Sequence, residues 1–81
     1  MPTLFRHKGY RFFFYSNEGE PLEPLHVHVI RGESVAKFWV EPEVSIAESY
    51  GMKSSELTML RKVVSENEDV IRKAWDGYFS K

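Results

Sequence analysis

The chain has 81 residues, of which 42% are hydrophobic and 15% aromatic, so it predicts one domain whose core the aromatic rings can supply. The absence of cysteine excludes disulfides and thiolate metal ligands. A formal charge of −1 argues against a globally basic nucleic-acid binder but does not fix how charge is distributed over the surface. With no signal-peptide apolar region and no apolar run near the ~20 residues of a membrane span, we expect a cytoplasmic protein without membrane contact.

Two runs rich in aromatic residues, 3–7 and 10–15, predict a first β-hairpin. Between them lie Lys8 and Gly9, a pair typical of a tight turn in which the glycine takes a positive φ. The predicted register pairs His7 with Tyr10, Arg6 with Arg11, Phe5 with Phe12, Leu4 with Phe13 and Thr3 with Phe14. Two opposed arginines are mildly unfavourable unless an anion lies between them.

Residues 16–24 are acidic and rich in turn formers, and they predict a mobile loop. A second hairpin follows over 25–30 and 35–41, with Gly32 at the first position of a type II′ turn. Its predicted register pairs Leu25 with Val40, His26 with Trp39, Val27 with Phe38, His28 with Lys37, Val29 with Ala36 and Ile30 with Val35. A slip of one residue would disturb this matching of apolar with apolar side chains.

Residues 44–50 have weaker strand character and predict an edge strand. Ser54 or Ser55 is a suitable N-cap for a helix, and apolar residues then recur at helical spacing up to Phe79. A single helix over 54–79 is the preferred interpretation, although 65–67 could divide it. The predicted fold class is α+β, a single domain over 1–81. An antiparallel sheet of four to five strands carries one long C-terminal helix packed on one face.

One helix can cover only one face of this sheet. The other face, called the outer face below, is predicted to carry Arg6, Arg11, Phe13, Tyr15, His26, His28, Lys37 and Trp39. Exposed rings on a sheet can stack nucleic-acid bases while arginine and lysine meet phosphates. The same face could equally bind a partner protein, form a homodimer interface, or hold histidines that are only hydrogen-bonded and packed.

His26 and His28 lie two residues apart on one strand, so both imidazoles can turn toward one metal ion. A catalytic zinc site needs a third protein ligand, and no spacing supports the candidates His7, Glu23 and Glu41; no metal or cofactor is therefore predicted. The pair could also act as acid and base in phosphodiester cleavage without a metal. His26 and His28 remain catalytic candidates without an assigned role, and an enzyme is the less favoured interpretation.

Two known histidine motifs do not fit this pattern. The histidine-triad nucleotide hydrolases need a third alternating histidine, where this chain has Ile30. The two-histidine phosphoesterases need separate His-x-Thr/Ser motifs, and the sequence contains none.

Five stretches closely resemble domain-of-unknown-function family 4160: MPTLFR, GYRFFFYSNE, PLHVHV, AKFWVEP and ENEDVIRKAWDGYF. Leu25 stands where the second proline of the family's Pro-Pro-His motif is usual. The resemblance implies a small bacterial or archaeal protein, often encoded beside another small domain in pairs resembling toxin–antitoxin systems. It thereby implies a partner protein and regulation related to nucleic acid, but it transfers no catalytic residue. The positions that match the family's motif are Arg11, Phe13, Tyr15, His26, His28, Lys37 and Trp39.

The sequence thus predicts a small interaction module, toxin–antitoxin-like or regulatory, that binds nucleic acid or a partner protein through the outer face. Two alternatives stay open. One is a metal-independent, histidine-dependent nuclease or phosphodiesterase, and the other is a structural homodimer without activity.

Overall fold

Two helices cover one face of a five-stranded antiparallel sheet whose strands follow chain order. The computed structural model describes residues 3–15 and 24–79. The elements are β1 (Thr3–His7), β2 (Tyr10–Phe13), β3 (His26–Arg31), β4 (Ser34–Trp39), β5 (Ser45–Tyr50), α1 (Ser54–Glu66) and α2 (Glu68–Phe79). The predicted α+β class and the edge strand are confirmed. Of the predicted loop over 16–24, only Pro24 lies within the described residues.

Both hairpin turns contain a glycine at a positive φ. Lys8 and Gly9 have positive φ angles of 50° and 86°, as a type I′ turn requires. Gly32 has a φ of 61°, which suits the first position of a type II′ turn. The predicted register of β3 with β4 is confirmed along both strands, with His28 opposite Lys37.

The register of β1 with β2 holds near the turn and shifts at the other end of the hairpin. Leu4 is an extra residue in β1, so Thr3 faces Phe13 instead of the predicted Phe14. The predicted pairing of Leu4 with Phe13 is wrong for the same reason. Leu4 packs against the buried core instead, and this burial accounts for the bulge, because a bulge re-aims one side chain.

The core lies between the sheet and the helices. It is built from alternate strand residues and from one stripe of each helix, including Phe12, Phe14, Val27, Val29, Phe38, Val40, Leu60, Val63, Val64, Ile71 and Trp75. Burying one such large side chain contributes about 1.5–3 kcal/mol. The Phe14 ring, directly after β2, meets the Trp75 ring of α2 edge to face at 5.1 Å.

The C-terminal segment forms two helices, so the single helix predicted over 54–79 is wrong. Asn67 separates them with a φ of −117° and a ψ of 22°. Its side-chain amide donates to the Val63 carbonyl oxygen at 2.8 Å, and its backbone N–H donates to Val63 and Val64 at 3.1 Å. Asparagine side chains compete with the helical ladder in this way, and the helix ends there. Ile71 donates to the Asn67 carbonyl oxygen at 3.0 Å, so α2 follows at once.

Helix α1 is fastened to the sheet at its first turn. Lys53 occupies the N-cap position in place of the predicted serine, and its backbone N–H donates to Glu56 at 2.8 Å. The buried Tyr10 hydroxyl donates to the other oxygen of Glu56 and accepts from Arg31 Nη1 at 3.2 Å. The Lys53 N–H, and after it the Tyr10 hydroxyl, hold the pKa of the Glu56 carboxyl below its ordinary value.

Helix α2 is tied to the segment after β4 by an ion pair. The Arg72 guanidinium donates to the Glu41 carboxylate, and this hydrogen bond raises the pKa of Arg72. Arg72 also lies 3.6 Å from Glu68, one turn earlier in the helix. Because all three side chains remain partly exposed to solvent, these pairs contribute little to stability. Neither described helix is long and apolar enough to cross a membrane.

Candidate binding face on the sheet

The outer face carries a series of ring contacts that crosses three strands. The Phe13 ring stacks on the His28 ring at 5.6 Å, and Tyr15 meets the same imidazole edge to face at 4.6 Å. The rings of His26 and His28 are 5.2 Å apart, and the His26 ring meets Trp39 at 5.5 Å. The structure therefore brings together all five ring-bearing residues that the sequence places on this face.

Cations lie at both ends of this series. The Arg11 guanidinium is 4.8 Å from the Phe13 ring centroid, and the Lys37 ammonium is 4.5 Å from that of Trp39. Cation–π contacts of this kind contribute about 0.5–1 kcal/mol at exposed sites. They hold each cation beside a ring, so charge and aromatic surface are presented together.

Arg6 extends the positive charge to the edge strand β1. It faces Arg11 directly across the hairpin, as predicted. Within residues 3–15 and 24–79, no carboxylate lies within 4 Å of either guanidinium. Opposed like charges destabilise a strand pair unless something neutralises them, and an anion between the two arginines would do so.

The two histidines of the His-Val-His motif have different environments. His26 is completely buried, and its Nδ1 lies 2.9 Å from the Pro24 carbonyl oxygen; since a carbonyl only accepts, Nδ1 carries the hydrogen. The Trp75 ring of α2 meets the His26 ring at 5.2 Å. His28 is half-buried. His26 is therefore packed against the core, and only His28 presents surface to a ligand.

The remaining residues of the outer face also differ in exposure. Tyr15 and Arg6 are exposed, while Arg11, Lys37 and Trp39 are half-buried. Phe13 is only 2% exposed, so it supports the rings and cations around it but offers almost no surface of its own. The face that could contact a ligand is thus smaller than the eight residues predicted.

A groove of about 290 Å³ opens on the outer face between β3 and β5. Its lining includes Tyr15, His28, Val35, Lys37, Glu48 and Tyr50. Glu48 lies opposite Lys37, and Tyr50 lies opposite Val35. Tyr50 is 72% exposed. Sequence reasoning missed Glu48 and Tyr50, because it predicted β5 as an edge strand without a register, and residues 45–50 have no regular alternation that would fix one.

No group of three metal-ligating side chains occurs among the described residues. His7, a candidate third ligand in the sequence, lies opposite Tyr10 at the first hairpin turn. Glu41 pairs with Arg72, and Glu23 lies outside the described residues. The structure thus brings neither His7 nor Glu41 to the histidine pair.

These features define a class of small α+β protein with helices on one sheet face and rings with cations on the other. Residues 9–76 match the family described as domain of unknown function DUF4160. The match spans most of the chain, which therefore belongs to this family. A search of curated proteins and a search of solved structures gave no match.

Proposed function

We propose that the protein is a small interaction module that binds single-stranded nucleic acid through its outer face. The observation that carries this proposal is a group of three accessible rings, the exposed Tyr15 and the half-buried His28 and Trp39, with the Arg11 and Lys37 cations at the two ends of the ring series. Proteins hold single strands with this combination, because bases stack on rings while phosphates meet arginine and lysine. Each stacked base contributes about 1–3 kcal/mol.

The distribution of charge supports the same ligand. Among the described residues, strand alternation places three cations, Arg6, Arg11 and Lys37, on the outer side of the sheet against one carboxylate, Glu48. The chain as a whole has a formal charge of −1, so much of its acidity lies elsewhere. Local positive potential raises the concentration of an anionic ligand at the face even when the whole protein is not basic.

The width of the sheet suits a short stretch of nucleic acid. Neighbouring strands lie about 4.8 Å apart, so the five strands span roughly 19 Å. RNA-binding modules with a four-stranded sheet stack two or three bases on this kind of surface. We expect this outer face to bind a segment of similar length.

Titration with labelled oligonucleotides tests the proposal. A ten-residue single strand of mixed sequence, as RNA and as DNA, is titrated with protein at about 20 mM and 200 mM salt and followed by fluorescence anisotropy. Binding is expected at the lower salt and weaker binding at the higher, because phosphate contacts release counterions. The absence of binding at 20 mM salt for both strands would refute the proposal.

Neutralising two arginines of the outer face tests whether this face binds the oligonucleotide. Replacing Arg6 and Arg11 together by glutamine is expected to reduce the salt slope by about 1.4, at roughly 0.7 for each lost phosphate contact. The matched control replaces the exposed Arg61 and Lys62 of α1 by glutamine, which removes the same charge from the helical side. An equal reduction in both variants would mean that binding follows net charge and not this face.

The nuclease alternative is disfavoured by the burial of His26. A pair of histidines that transfers protons to and from a phosphodiester must have both imidazoles within hydrogen-bond reach of the substrate. His26 is completely buried, and its Nδ1 is committed to the Pro24 carbonyl. Incubation with labelled RNA should therefore leave the strand intact.

A partner protein or a second copy of the chain could occupy the same face. Either would bury Tyr15 and Trp39 without any dependence on oligonucleotide. Sedimentation at low micromolar concentration distinguishes these cases, because a homodimer through the outer face would appear as twice the 9.5 kDa chain mass. A stable dimer that dissociates on replacement of Tyr15 and does not bind oligonucleotide would favour the structural alternative.

A further inference from the structure

We propose that Glu48 makes the groove of the outer face selective for guanine. This inference rests on the proposed function, since it names the base that the single strand would place in the groove. Glu48 is the specificity-determining residue, and the rings and cations around it supply affinity for any base or phosphate.

The groove has the composition of a site for one base. Its volume is about 290 Å³, and Val35 and Lys37 of β4 contribute to its lining next to Glu48. Tyr15 and His28, whose rings are in edge contact at 4.6 Å, line it from one side. Tyr50 lines it from the edge strand and is 72% exposed. A planar base has apolar and aromatic surface to stack on here, with one carboxylate at its rim.

The Glu48 carboxylate is available to such a ligand. It forms no hydrogen bond or ion pair within the part of the chain that the structure describes. Lys37 lies directly opposite on β4, but its ammonium is placed over the Trp39 ring at 4.5 Å from the centroid. The carboxylate thus keeps its acceptor capacity and its negative charge at the groove.

A carboxylate discriminates strongly among the four bases. It has only acceptors, and the pairing edge of guanine presents two adjacent donors, N1–H and the N2 amino group, at the spacing of its two oxygens. Adenine and cytosine each place one amino donor beside a ring nitrogen acceptor, which repels the carboxylate. Uracil places its single N–H between two carbonyl oxygens. Only guanine offers a bidentate pair, and such a pair improves discrimination by roughly tenfold or more.

The negative charge of Glu48 disfavours a phosphate in the groove, although Lys37 also lines it, whereas Arg6 and Arg11 at the other side of the sheet attract phosphate. The face is therefore divided into a part that binds backbone and a part that binds a base, and this division orients the strand across the sheet.

Oligonucleotides that differ at one position test the inference. Uridine octamers carry guanine, inosine, adenine or cytosine at a central position, as RNA and as DNA, and are titrated against wild type and Glu48→Gln. Inosine keeps N1–H but lacks the N2 amino group, so it removes one of the two hydrogen bonds and nothing else. Glu66→Gln serves as the matched control, since this exposed glutamate lies on α1 and its replacement changes the charge equally.

Wild type and Glu66→Gln are expected to bind the guanine octamer at least about tenfold more tightly than the all-uridine octamer, with inosine in between. Glu48→Gln should lose most of this preference while binding the all-uridine octamer as tightly or more tightly, because repulsion of phosphate is removed. Equal binding of all octamers by wild type would overturn the inference and leave the proposed function standing. A guanine preference that survives in Glu48→Gln would overturn it too. No binding of any octamer at low salt would refute the proposed function itself.

Discussion

Replacing each histidine of the His-Val-His motif separately should have very different consequences for stability. His26→Ala removes a completely buried ring that packs against Trp39 and Trp75. Truncating a large buried side chain to alanine costs about 2–5 kcal/mol, and the lost hydrogen bond to the Pro24 carbonyl adds about 1 kcal/mol. We expect a loss of at least about 3 kcal/mol for His26→Ala, the lower end of this sum.

His28→Ala removes a half-buried ring that contacts the rings of Phe13, Tyr15 and His26. Aromatic pairs contribute about 0.5–1.5 kcal/mol beyond the area they bury, and part of that contact can be recovered by movement of the exposed Tyr15. We expect a loss of about 1 kcal/mol. The difference between the two variants is therefore at least about 2 kcal/mol, a factor of roughly 30 or more in the folding equilibrium constant.

The assay is urea unfolding at pH 7, followed by far-ultraviolet circular dichroism, because tryptophan fluorescence would itself change when a ring beside Trp39 or Trp75 is removed. His26→Phe is the comparison variant, since it keeps a buried ring but removes both ring nitrogens and with them the hydrogen bond to Pro24; its loss should be smaller than that of His26→Ala. If His28→Ala destabilises the protein as much as His26→Ala, the two histidines are equivalent and the argument from burial is wrong. Loss of oligonucleotide binding in His28→Ala with stability nearly retained would agree with the proposed function.

Three further predictions concern the scaffold. Tyr10→Phe removes the hydroxyl that joins Arg31 to Glu56 and should lower the free energy of unfolding by about 1 kcal/mol; an unchanged urea midpoint would contradict the anchoring role of this hydroxyl. Because the pKa of Glu56 is lowered in the folded state, its contribution should be fully present above its ordinary value of 4.5 and lost as the pH falls through the lowered value. The stability of wild type relative to Glu56→Gln, measured by urea unfolding from pH 6 down to pH 3, should therefore shrink on acidification; a constant difference would count against the assignment. Gly9→Ala should destabilise by about 1–2 kcal/mol because Gly9 has a φ of 86°, whereas Gly77→Ala, in α2 with nothing within 4 Å of the new methyl group, should stabilise by up to about 1 kcal/mol. Thermal melts of the two variants shifting in the same direction would refute that reasoning.

Much of the sheet was predictable because its determinants are local. Side-chain alternation and a two-residue turn fix the register of a hairpin, so the pairing of β3 with β4, with His28 opposite Lys37, follows from the sequence. The bulge at Leu4 was not predictable from the hairpin alone. Leu4 packs against the core, to which residues of both helices contribute, and the hairpin sequence does not contain that information.

The boundary between α1 and α2 could not be predicted for a different reason. Apolar spacing continues across Asn67, so periodicity favoured one helix. The side chain of Asn67 nevertheless bonds the Val63 carbonyl, and whether an asparagine does so or points to solvent depends on how both helices dock on the sheet. The local sequence indicated that 65–67 could divide the helix, and the packing of both helices determined that it does.

For the candidate site, the sequence by itself determined which residues share the outer face, because strand alternation assigns every second side chain to one side. Only the tertiary structure decided how much these residues differ in solvent exposure. Trp75 comes from α2 to cover His26, and β5 brings Glu48 and Tyr50 beside Lys37 to form the groove. The burial of His26 and the formation of the groove both depend on contacts between segments far apart in the chain. The packing of the whole core brings these segments together, and no local sequence pattern does.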